Sequence, residues 1–192
     1  MAPPTNSSNR PRAPRRDAVR NDAIVLRAAR EVFAEQGPQA SMESIAARAG
    51  LGVGTIYRRF AGKEALLDAI ARVFVEEMDQ AAATALADPD PCAGLERFLE
   101  FIGAFNAEKR RYAGALTERV AGDEVSERTV RRLHQLTRKA VDAGALAADV
   151  TGDDIEALIV AIRAVVAVSP DGDDTRWRRF VRVHLAGLRT NR

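Results

Sequence analysis

Residues 41–63 are the part of the chain that most constrains its fold, because two short helical patterns meet there at a corner rich in glycine. Ser41 is suited to cap the first helix with its hydroxyl group. Apolar residues then recur at helical spacing between residues 42 and 49. Gly50 follows where a left-handed C-cap residue is expected, and Gly52 precedes the second pattern. Two short capped helices joined so tightly predict a helix-turn-helix.

The second helix is predicted to have an apolar stripe and a polar, basic face. Its stripe consists of Val53, Ile56 and Phe60, at i, i+3 and i+7. A helix-turn-helix places the N-terminal part of its second helix in the major groove of double-stranded DNA. The residues that we expect to contact DNA are Ser41, Gly52, Val53, Gly54, Thr55, Tyr57, Arg58, Arg59 and Lys63.

These residues fall into two chemical groups. Tyr57, Arg59 and Lys63 offer a hydroxyl donor and two cations, which suit phosphate contacts. Thr55 and Arg58 are suited to base edges, because arginine can donate twice to guanine and threonine can meet a thymine methyl group. A short basic helix taken alone is more often an ordinary solvated helix. The prediction therefore depends on the caps, the corner and the donors occurring together.

This segment resembles the signature of the TetR family of bacterial transcriptional regulators. The matching residues are Ile45-Ala46, Ala49-Gly50-Leu51-Gly52, Gly54-Thr55, Tyr57, Phe60, Lys63-Glu64 and Leu66. Gly52 stands where serine is usual, so the second helix lacks a side-chain cap, and Arg59 stands where histidine is common. The resemblance implies an all-α fold, with an N-terminal three-helix DNA-binding part followed by a helical part that binds a small molecule and dimerises.

Charge is distributed unevenly along the chain. Residues 1–63 contain eleven Lys and Arg against five Asp and Glu, whereas residues 64–192 contain eighteen against twenty-two. A basic N-terminal part attached to an acidic remainder directs that end towards a polyanion. Residues 1–16 are rich in Pro, Ser, Asn and Arg, which predicts a disordered basic tail. Its composition fits a DNA-contacting arm and a solubilising tail equally well.

The remaining composition argues against several classes of protein. No apolar run reaches the ~18 residues of a membrane span, and no apolar segment follows the N-terminal arginines as in a secretory signal. A single cysteine, Cys92, excludes an intramolecular disulfide and favours a cytoplasmic protein. Cys92, His134 and His184 are too few and too scattered to predict a metal site or a catalytic group. We therefore predict no cofactor, no metal and no enzymatic activity.

Breaks in the periodic patterns divide the chain. We predict a DNA-binding domain over residues 17–63 and an effector-binding and dimerisation domain over residues 64–192. The predicted helices span about 18–36, the two helices of the corner, 63–87, 91–107, 109–121, 123–144, 152–168 and 174–189. Thr151 and Asp154 form a capping-box pattern before the helix at 152–168.

The last two predicted helices carry more apolar surface than one small chain can easily cover. Residues 155–168 are apolar nearly all round, which requires cover on several sides. The resemblance also implies that these helices form an isologous homodimer, although an internal core is the alternative. The expected interface residues are Ile155, Ile159, Ile162, Val166, Trp177, Phe180, Val181, His184, Leu185 and Leu188.

Aromatic residues are concentrated between residues 98 and 116. The resemblance implies that the middle helices enclose a pocket for a small-molecule effector, and ordinary core packing is the alternative. The expected lining residues are Phe74, Met78, Phe98, Phe101, Phe105 and His134.

Together these features predict a ligand-responsive transcriptional regulator. Its expected form is a repressor that binds a palindromic operator as a dimer and is released by a small molecule. Two other classes stay open at this point: a non-specific nucleoid-type DNA-binding protein, and a small helical enzyme or carrier.

Overall fold

A computed structural model describes residues 14–110, 126–170 and 172–190. Among these residues there are eight α-helices. Their bounds are α1 Pro14–Gln36, α2 Met42–Ala49, α3 Val53–Arg59, α4 Lys63–Leu86, α5 Pro91–Arg110, α6 Glu127–Asp142, α7 Gly152–Val168 and α8 Thr175–Leu188. A short 3-10 turn follows α1. None of the described helices combines the length and the apolar character that crossing a membrane requires.

Helices α1–α3 form a small N-terminal bundle, which we call the head. Its core is built on the apolar stripe of α1, whose five members are all buried: Val25, Ala28, Ala29, Val32 and Phe33. Ile45 of α2 and Ile56 of α3 are fully buried in the same cluster. Because α2 and α3 are too short to be stable alone, this shared core holds them in place.

Helix α4 connects the head to the rest of the molecule. It contains 24 residues and is therefore roughly 36 Å long at 1.5 Å per residue. It packs against α1 in the head and against α5 and α6 beyond it. Its apolar stripe is buried along its length: Leu66, Leu67, Ile70, Phe74 and Met78.

Helices α5–α8 form the second unit, which we call the body. Helix α5 lies at its centre and packs against α4, α6, α7 and α8. Gly103 of α5 allows α8 to approach α5 closely, because a Cβ atom at this position would overlap the indole ring of Trp177. Trp177 is fully buried as a result. The packing of α8 against α5 therefore depends on this glycine.

The observed helix ends agree with the sequence patterns where caps are strong. The predicted helix at 152–168 is confirmed by α7, and the Thr151–Asp154 capping box is present. Helix α1 begins at Pro14 rather than 18, so the last three residues of the predicted tail are helical; proline is well tolerated at a first helical position.

Two boundaries in the body differ from the prediction. Helix α5 runs on to Arg110 instead of ending near 107, because no glycine or proline interrupts it there. Helix α6 begins at Glu127 instead of 123, capped by the Ser126 hydroxyl, which accepts from the Thr129 amide at 3.1 Å. The predicted helix at 109–121 lies almost wholly outside the described residues.

Candidate nucleic-acid interface

The corner between α2 and α3 is built by the residues that the sequence indicated. The Ser41 hydroxyl accepts a hydrogen bond from the backbone amide of Ser44 at 3.0 Å. Gly50 ends α2 in the left-handed region, with φ 66° and ψ 30°, which residues with a side chain rarely adopt. The Leu51 amide then donates to the Ala46 carbonyl at 3.0 Å. The chain is thereby turned within three residues, and the predicted helix-turn-helix is present.

Helix α3 presents most of its surface outward. Ile56 is the anchor, fully buried in the head. Val53, which the spacing placed on the buried stripe, is instead 37% exposed. The reason is that α3 has only seven residues, so its first turn extends past the core that receives Ile56. Gly52 and Gly54 are also exposed, which leaves the backbone at the start of α3 accessible.

The exposed face of α3 contains a hydroxyl group and a guanidinium group in contact. Arg58 Nη2 donates to Thr55 Oγ1 at 3.1 Å. Tyr57, on the neighbouring surface, is 50% exposed. These three side chains are directed away from the core of the head.

Arg59 has a partner that the sequence did not indicate. Its Nε donates to Asp22 Oδ1 at 2.7 Å and its Nη2 donates to the other carboxylate oxygen. The hydrogen bonds and the charge of Asp22 raise the pKa of Arg59. Arg59 therefore joins α3 to α1, and a phosphate would compete with Asp22 for it.

Lys63 lies at the first position of α4. Its ammonium group is 5.6 Å from the centre of the Phe33 ring, a distance typical of a cation–π contact. Ser41, also predicted to contact DNA, uses its hydroxyl group to cap α2. The structure thus gathers the predicted residues at α3 and its two flanks, while giving several of them contacts within the head.

A second ion pair that the sequence did not reveal orients α2. Arg48 donates to both carboxylate oxygens of Glu35 at 3.0 and 2.6 Å, and to Glu31 at 3.1 Å. Both glutamates lie on α1, so this bidentate pair fixes α2 against α1. No helical spacing links residues so far apart along the chain, and the sequence offered no signal for the contact.

The comparisons with known proteins cover both units. A family model described as bacterial regulatory proteins of the tetR family matches residues 25–70. A second model, for the C-terminal domain of SbtR-like transcriptional regulators, matches residues 90–190, more than half of the chain. The chain belongs to the TetR family of bacterial regulatory proteins. It is thus a DNA-binding, ligand-responsive regulator of transcription, and its predicted all-α fold is confirmed.

Solved structures of TetR proteins resemble the whole chain. A TetR transcription regulatory protein from Mycobacterium vanbaalenii is 34% identical, with a TM-score of 0.71, over 92% of this chain and 99% of that chain. A TetR transcriptional regulator from Streptomyces coelicolor is 29% identical, with a TM-score of 0.72, over 89% and 99%. The regulator PfmR from Thermus thermophilus, at 20% identity, a TM-score of 0.63 and coverage of 85% and 96%, shows the shared fold alone. The curated proteins include no match to this chain.

In this TetR protein the side chain of Arg30 bonds the head to α4 and to the body at once. Arg30 of α1 donates to Glu77 of α4 and to Glu108 of α5, each at 2.8 Å. Its guanidinium carbon also lies 4.7 Å from the centre of the Phe74 ring. Burial lowers the pKa of Arg30, but the Glu77 hydrogen bond and the two carboxylate charges outweigh burial and raise it. Arg30 therefore stays charged where three helices meet.

The six residues predicted to line an effector pocket do not form one site. Phe74 and Phe105 meet edge to face at 5.0 Å between ring centres, and Phe101 stacks on Phe105 at 5.6 Å. Phe98 and Phe101 line an open groove of about 490 Å³ between α4 and α5. Four of the six residues are buried in the core: Phe74, Met78, Phe98 and Phe105. The aromatic cluster is therefore mainly packed core.

His134, the sixth predicted lining residue, contacts a different part of the body. Its ring lies against Gly152, where a Cβ atom would overlap it, and its Nε2 atom is in hydrogen-bonding contact with Glu156. Among the described residues, His134, Asp153 and Glu156 are the three metal-ligating side chains whose ligand atoms lie within 4.8 Å of one another. Asp153 and Glu156 belong to the first turn of α7, where the helix dipole already favours carboxylates. The contact of His134 with Glu156 therefore joins α6 to α7.

The predicted dimer interface requires a correction. Seven of its ten residues are buried in the chain's own core and offer almost no surface to a partner: Ile155, Ile159, Ile162, Val166, Trp177, Val181 and Leu185. The larger side chains face inward because burying them removes more apolar surface from water. Phe180 and Leu188 are half-buried and His184 is exposed, with its ring stacked on Phe180 at 3.8 Å between centres.

The opposite side of α7 carries a second apolar stripe that the prediction did not separate from the first. Val160 is 64% exposed and Val168 is exposed as well. The stripe lies at helical spacing and consists of Ala157, Val160, Ala161, Ala164, Ala167 and Val168, of which only Ala161 is half-buried. On α8, Val183 and Gly187 are exposed near Phe180. Both of these neighbouring helices thus expose apolar residues.

Proposed function

We propose that this TetR protein is a repressor that binds a palindromic operator as a homodimer and is released by a small molecule. The observation that carries the proposal is the outward face of α3, where glycine-lined backbone, hydroxyl groups and arginines are exposed together. As a regulator of bacterial genes it acts in the cytoplasm, where the DNA is. We further propose that residues 17–63 form the DNA-binding domain and residues 64–192 the regulatory domain.

Thr55 and Arg58 are the proposed base-reading pair. Thr55 lies in the first turn of α3, the part of a recognition helix that enters the major groove, and Arg58 lies one turn further on, in the last turn of α3. Their mutual hydrogen bond of 3.1 Å holds the arginine side chain along the helix before DNA is bound. A guanine edge would then replace the threonine hydroxyl as acceptor for Arg58.

Tyr57, Arg59 and Lys63 are the proposed phosphate contacts, with Gly52, Val53 and Gly54 allowing close approach of the backbone. The Asp22 carboxylate holds Arg59 beside the α3 surface in free protein. A phosphate can exchange with Asp22 at modest cost, because both are anions that accept from the same guanidinium. Arg59 is thus positioned in advance rather than withdrawn from the interface.

The test measures affinity for an operator obtained by selection from random DNA. Arg58→Ala is expected to lose about 30-fold or more in affinity for that operator, because the dimer loses one bidentate base contact of about 1–3 kcal/mol in each half-site, and to select altered sequences. Tyr57→Ala and Lys63→Ala are expected to weaken binding to all DNA, and Lys63→Ala to reduce the salt slope by about two phosphate contacts, one in each protomer. Arg138→Ala is the matched control, because Arg138 is exposed on α6 in the body.

The result also separates the alternative functions. Arg58→Ala with unchanged sequence preference removes Arg58 from base reading. Equal affinity for operator and random DNA would indicate a nucleoid-type protein, since a specific regulator prefers its site by about 10³-fold or more. Absence of any salt-sensitive DNA binding, together with turnover of a substrate, would favour the enzyme or carrier.

The homodimer is proposed to use the uncovered stripe of α7 and the exposed part of α8. An apolar surface of this kind on two packed helices favours association with a second copy through a two-fold axis. Ala164 lies at the centre of the α7 stripe, and its small side chain allows two helices to approach closely. Half-sites of the operator would then lie about 34–36 Å apart or a multiple of that spacing.

Ala164→Glu tests the interface, because two like charges would be placed at the centre of a two-fold contact. We expect this variant to sediment as a monomer at about micromolar concentration, whereas wild type sediments as a dimer. Ala148→Glu makes the same chemical change at an exposed residue between α6 and α7 and should leave the dimer intact. A dimeric Ala164→Glu protein would remove this surface from the interface.

A small molecule can release DNA only by binding the two head arrangements with different affinities. Helix α4 and Arg30 are proposed to transmit this difference, since α4 contacts both head and body and Arg30 is bonded to α4 and α5 at once.

A further inference from the structure

Arg163, on α7, is a half-buried cation with no ion pair among the described residues. Its Nε and Nη2 atoms are buried and have no hydrogen-bond partner there. Burial lowers the pKa of Arg163, although an arginine side chain keeps its charge in proteins. Two buried N–H groups of a cation without acceptors are costly, so a protein that retains them is expected to supply an anion to them at some stage.

Lys109 is a second cation at the same place. It lies in the last turn of α5, which packs against α7. Burial lowers the pKa of Lys109 to about 8, and the charge of Arg163 contributes to the same shift. Two positive groups that influence each other across a helix contact concentrate positive potential there.

Lys109 is flanked on α5 by two charged residues, Glu108 and Arg110. Glu108 accepts from Arg30 at 2.8 Å. Arg110 Nη1 donates to the Val166 carbonyl at 2.8 Å and to the Ser169 carbonyl, and so caps the end of α7. One helical turn before each cation the chain places a buried apolar residue, Phe105 before Lys109 and Ile159 before Arg163. The apolar core thus lies directly beside the two cations, which strengthens their attraction for an anion.

We propose that Arg163 and Lys109 bind the acidic group of the effector, and that the effector is a small organic acid with a carboxylate or phosphate group. A guanidinium group matches either anion through two parallel hydrogen bonds, and the lysine adds a point charge. This inference rests on the proposed function, in which a small molecule controls DNA binding.

The site is also positioned to affect the head. Glu108, which holds Arg30 of α1, directly precedes Lys109 on α5. An anion drawn between Arg163 and Lys109 would pull on the last turn of α5 and thus on the carboxylate that binds Arg30. The acid is therefore expected to change operator affinity as well as stability.

The experiment compares thermal unfolding of full-length wild type, Arg163→Met and Arg138→Met. The probes are the sodium salts of acetate, benzoate, octanoate and inorganic phosphate, with acetamide, benzamide and octanamide as neutral counterparts, all at constant ionic strength. Arg138 is exposed on α6, so its replacement removes the same charge without touching the site.

At about a tenfold excess over its dissociation constant, a bound acid is expected to raise the unfolding midpoint of wild type and of Arg138→Met by about 3–6 °C. The amides should have no such effect. Arg163→Met should lose the response to the acid, and its ligand-free midpoint should equal or exceed that of wild type, because replacing an unpaired buried charge by an apolar side chain is neutral or stabilising.

Two results would overturn the proposal. One is that no acid stabilises wild type more than it stabilises Arg163→Met. The other is that Arg163→Met lowers the ligand-free midpoint well below that of Arg138→Met, which would mean that a carboxylate of the protein itself, in this chain or a second copy, already pairs with Arg163.

Operator binding measured without any acid tests the proposed function independently of the acid site. If wild type and Arg163→Met both retain the operator in gel retardation, the proposed function stands whatever the acids do. If neither binds selected DNA, the regulator proposal fails, while the unfolding data still decide whether the acid site exists.

Discussion

Replacing Arg30 by methionine is expected to loosen the junction of head and body and to cost about 2–4 kcal/mol of folding stability. Arg30 bonds both Glu77 and Glu108 at 2.8 Å and covers the Phe74 ring at 4.7 Å. Methionine keeps a flexible apolar side chain over Phe74 but removes the charge and every donor. The variant therefore isolates the polar part of the contact.

The size of this stability loss follows from how exposed Arg30 and its two glutamate partners are. The side chains of Glu77 and Glu108 are 38% and 42% exposed, so solvent screens each pair and reduces its worth to about 1 kcal/mol. The arginine side chain is only 17% exposed, and its contact with Phe74 adds about 0.5–2 kcal/mol. The three terms together give about 2–4 kcal/mol, the figure stated above.

Urea unfolding followed by circular dichroism measures the loss directly. Arg131→Met is the control, since its pair with Glu127 lies within one exposed helix turn and is worth about 0.5 kcal/mol or less. Arg30→Lys should recover only part of the loss, because lysine cannot bond two carboxylates through one planar group. A loss for Arg30→Met no larger than that of the control would refute the reasoning.

Three further predictions concern stability. Gly103→Ala should destabilise by about 1–3 kcal/mol through overpacking against Trp177, measured by urea unfolding. Ser41→Ala should cost about 1 kcal/mol through loss of the α2 cap, also seen in urea. Burial raises the pKa of Asp79, but hydrogen bonds from Arg132 and Arg128 outweigh it and hold the pKa below its ordinary value. Asp79 therefore contributes stability above its unfolded pKa of about 3.9, which is lost as pH falls; Asp79→Asn should be less stable than wild type at pH 7, and the difference should shrink below about pH 4. A constant difference from pH 7 to pH 3 would contradict this assignment.

The sequence predicted those features of the head that depend on neighbours within a few residues. The Ser41 cap, the left-handed Gly50 and the buried Ile56 each follow from spacing inside one or two helical turns. Contacts between distant residues could not be predicted in this way. The pair of Arg59 and Asp22 spans 37 positions, and no periodicity relates residues at such separation.

The proposed dimer interface on α7 shows a second reason why the sequence pattern could not predict part of the site. Residues 155–168 are apolar on nearly every side, so the pattern could not tell the inward stripe from the outward one. The prediction chose the bulky residues, such as Ile155 and Ile162, which are fully buried in the chain's own core. The smaller stripe around Ala164 is the one left exposed, and its residue sizes suit close approach of a second helix.

Arg163 shows why the proposed effector site could not be predicted from the sequence either. From the sequence it was an interruption in an apolar run, and the aromatic residues attracted the prediction instead. Only the packing of α5 on α7 reveals that its Nε and Nη2 atoms are buried and without a partner among the described residues. A buried charge is a long-range property, because neighbours from other helices determine both its burial and its partners.

Selection of bound fragments from random-sequence DNA by the full-length protein tests the central claim most directly, namely that the exposed face of α3 reads bases. The account predicts enrichment of an inverted repeat whose half-sites are about one helical turn apart, or a multiple of it, and a changed repeat for Arg58→Ala. Recovery of fragments that share no sequence, or of the same repeat with Arg58→Ala and Thr55→Ala as with wild type, would contradict it.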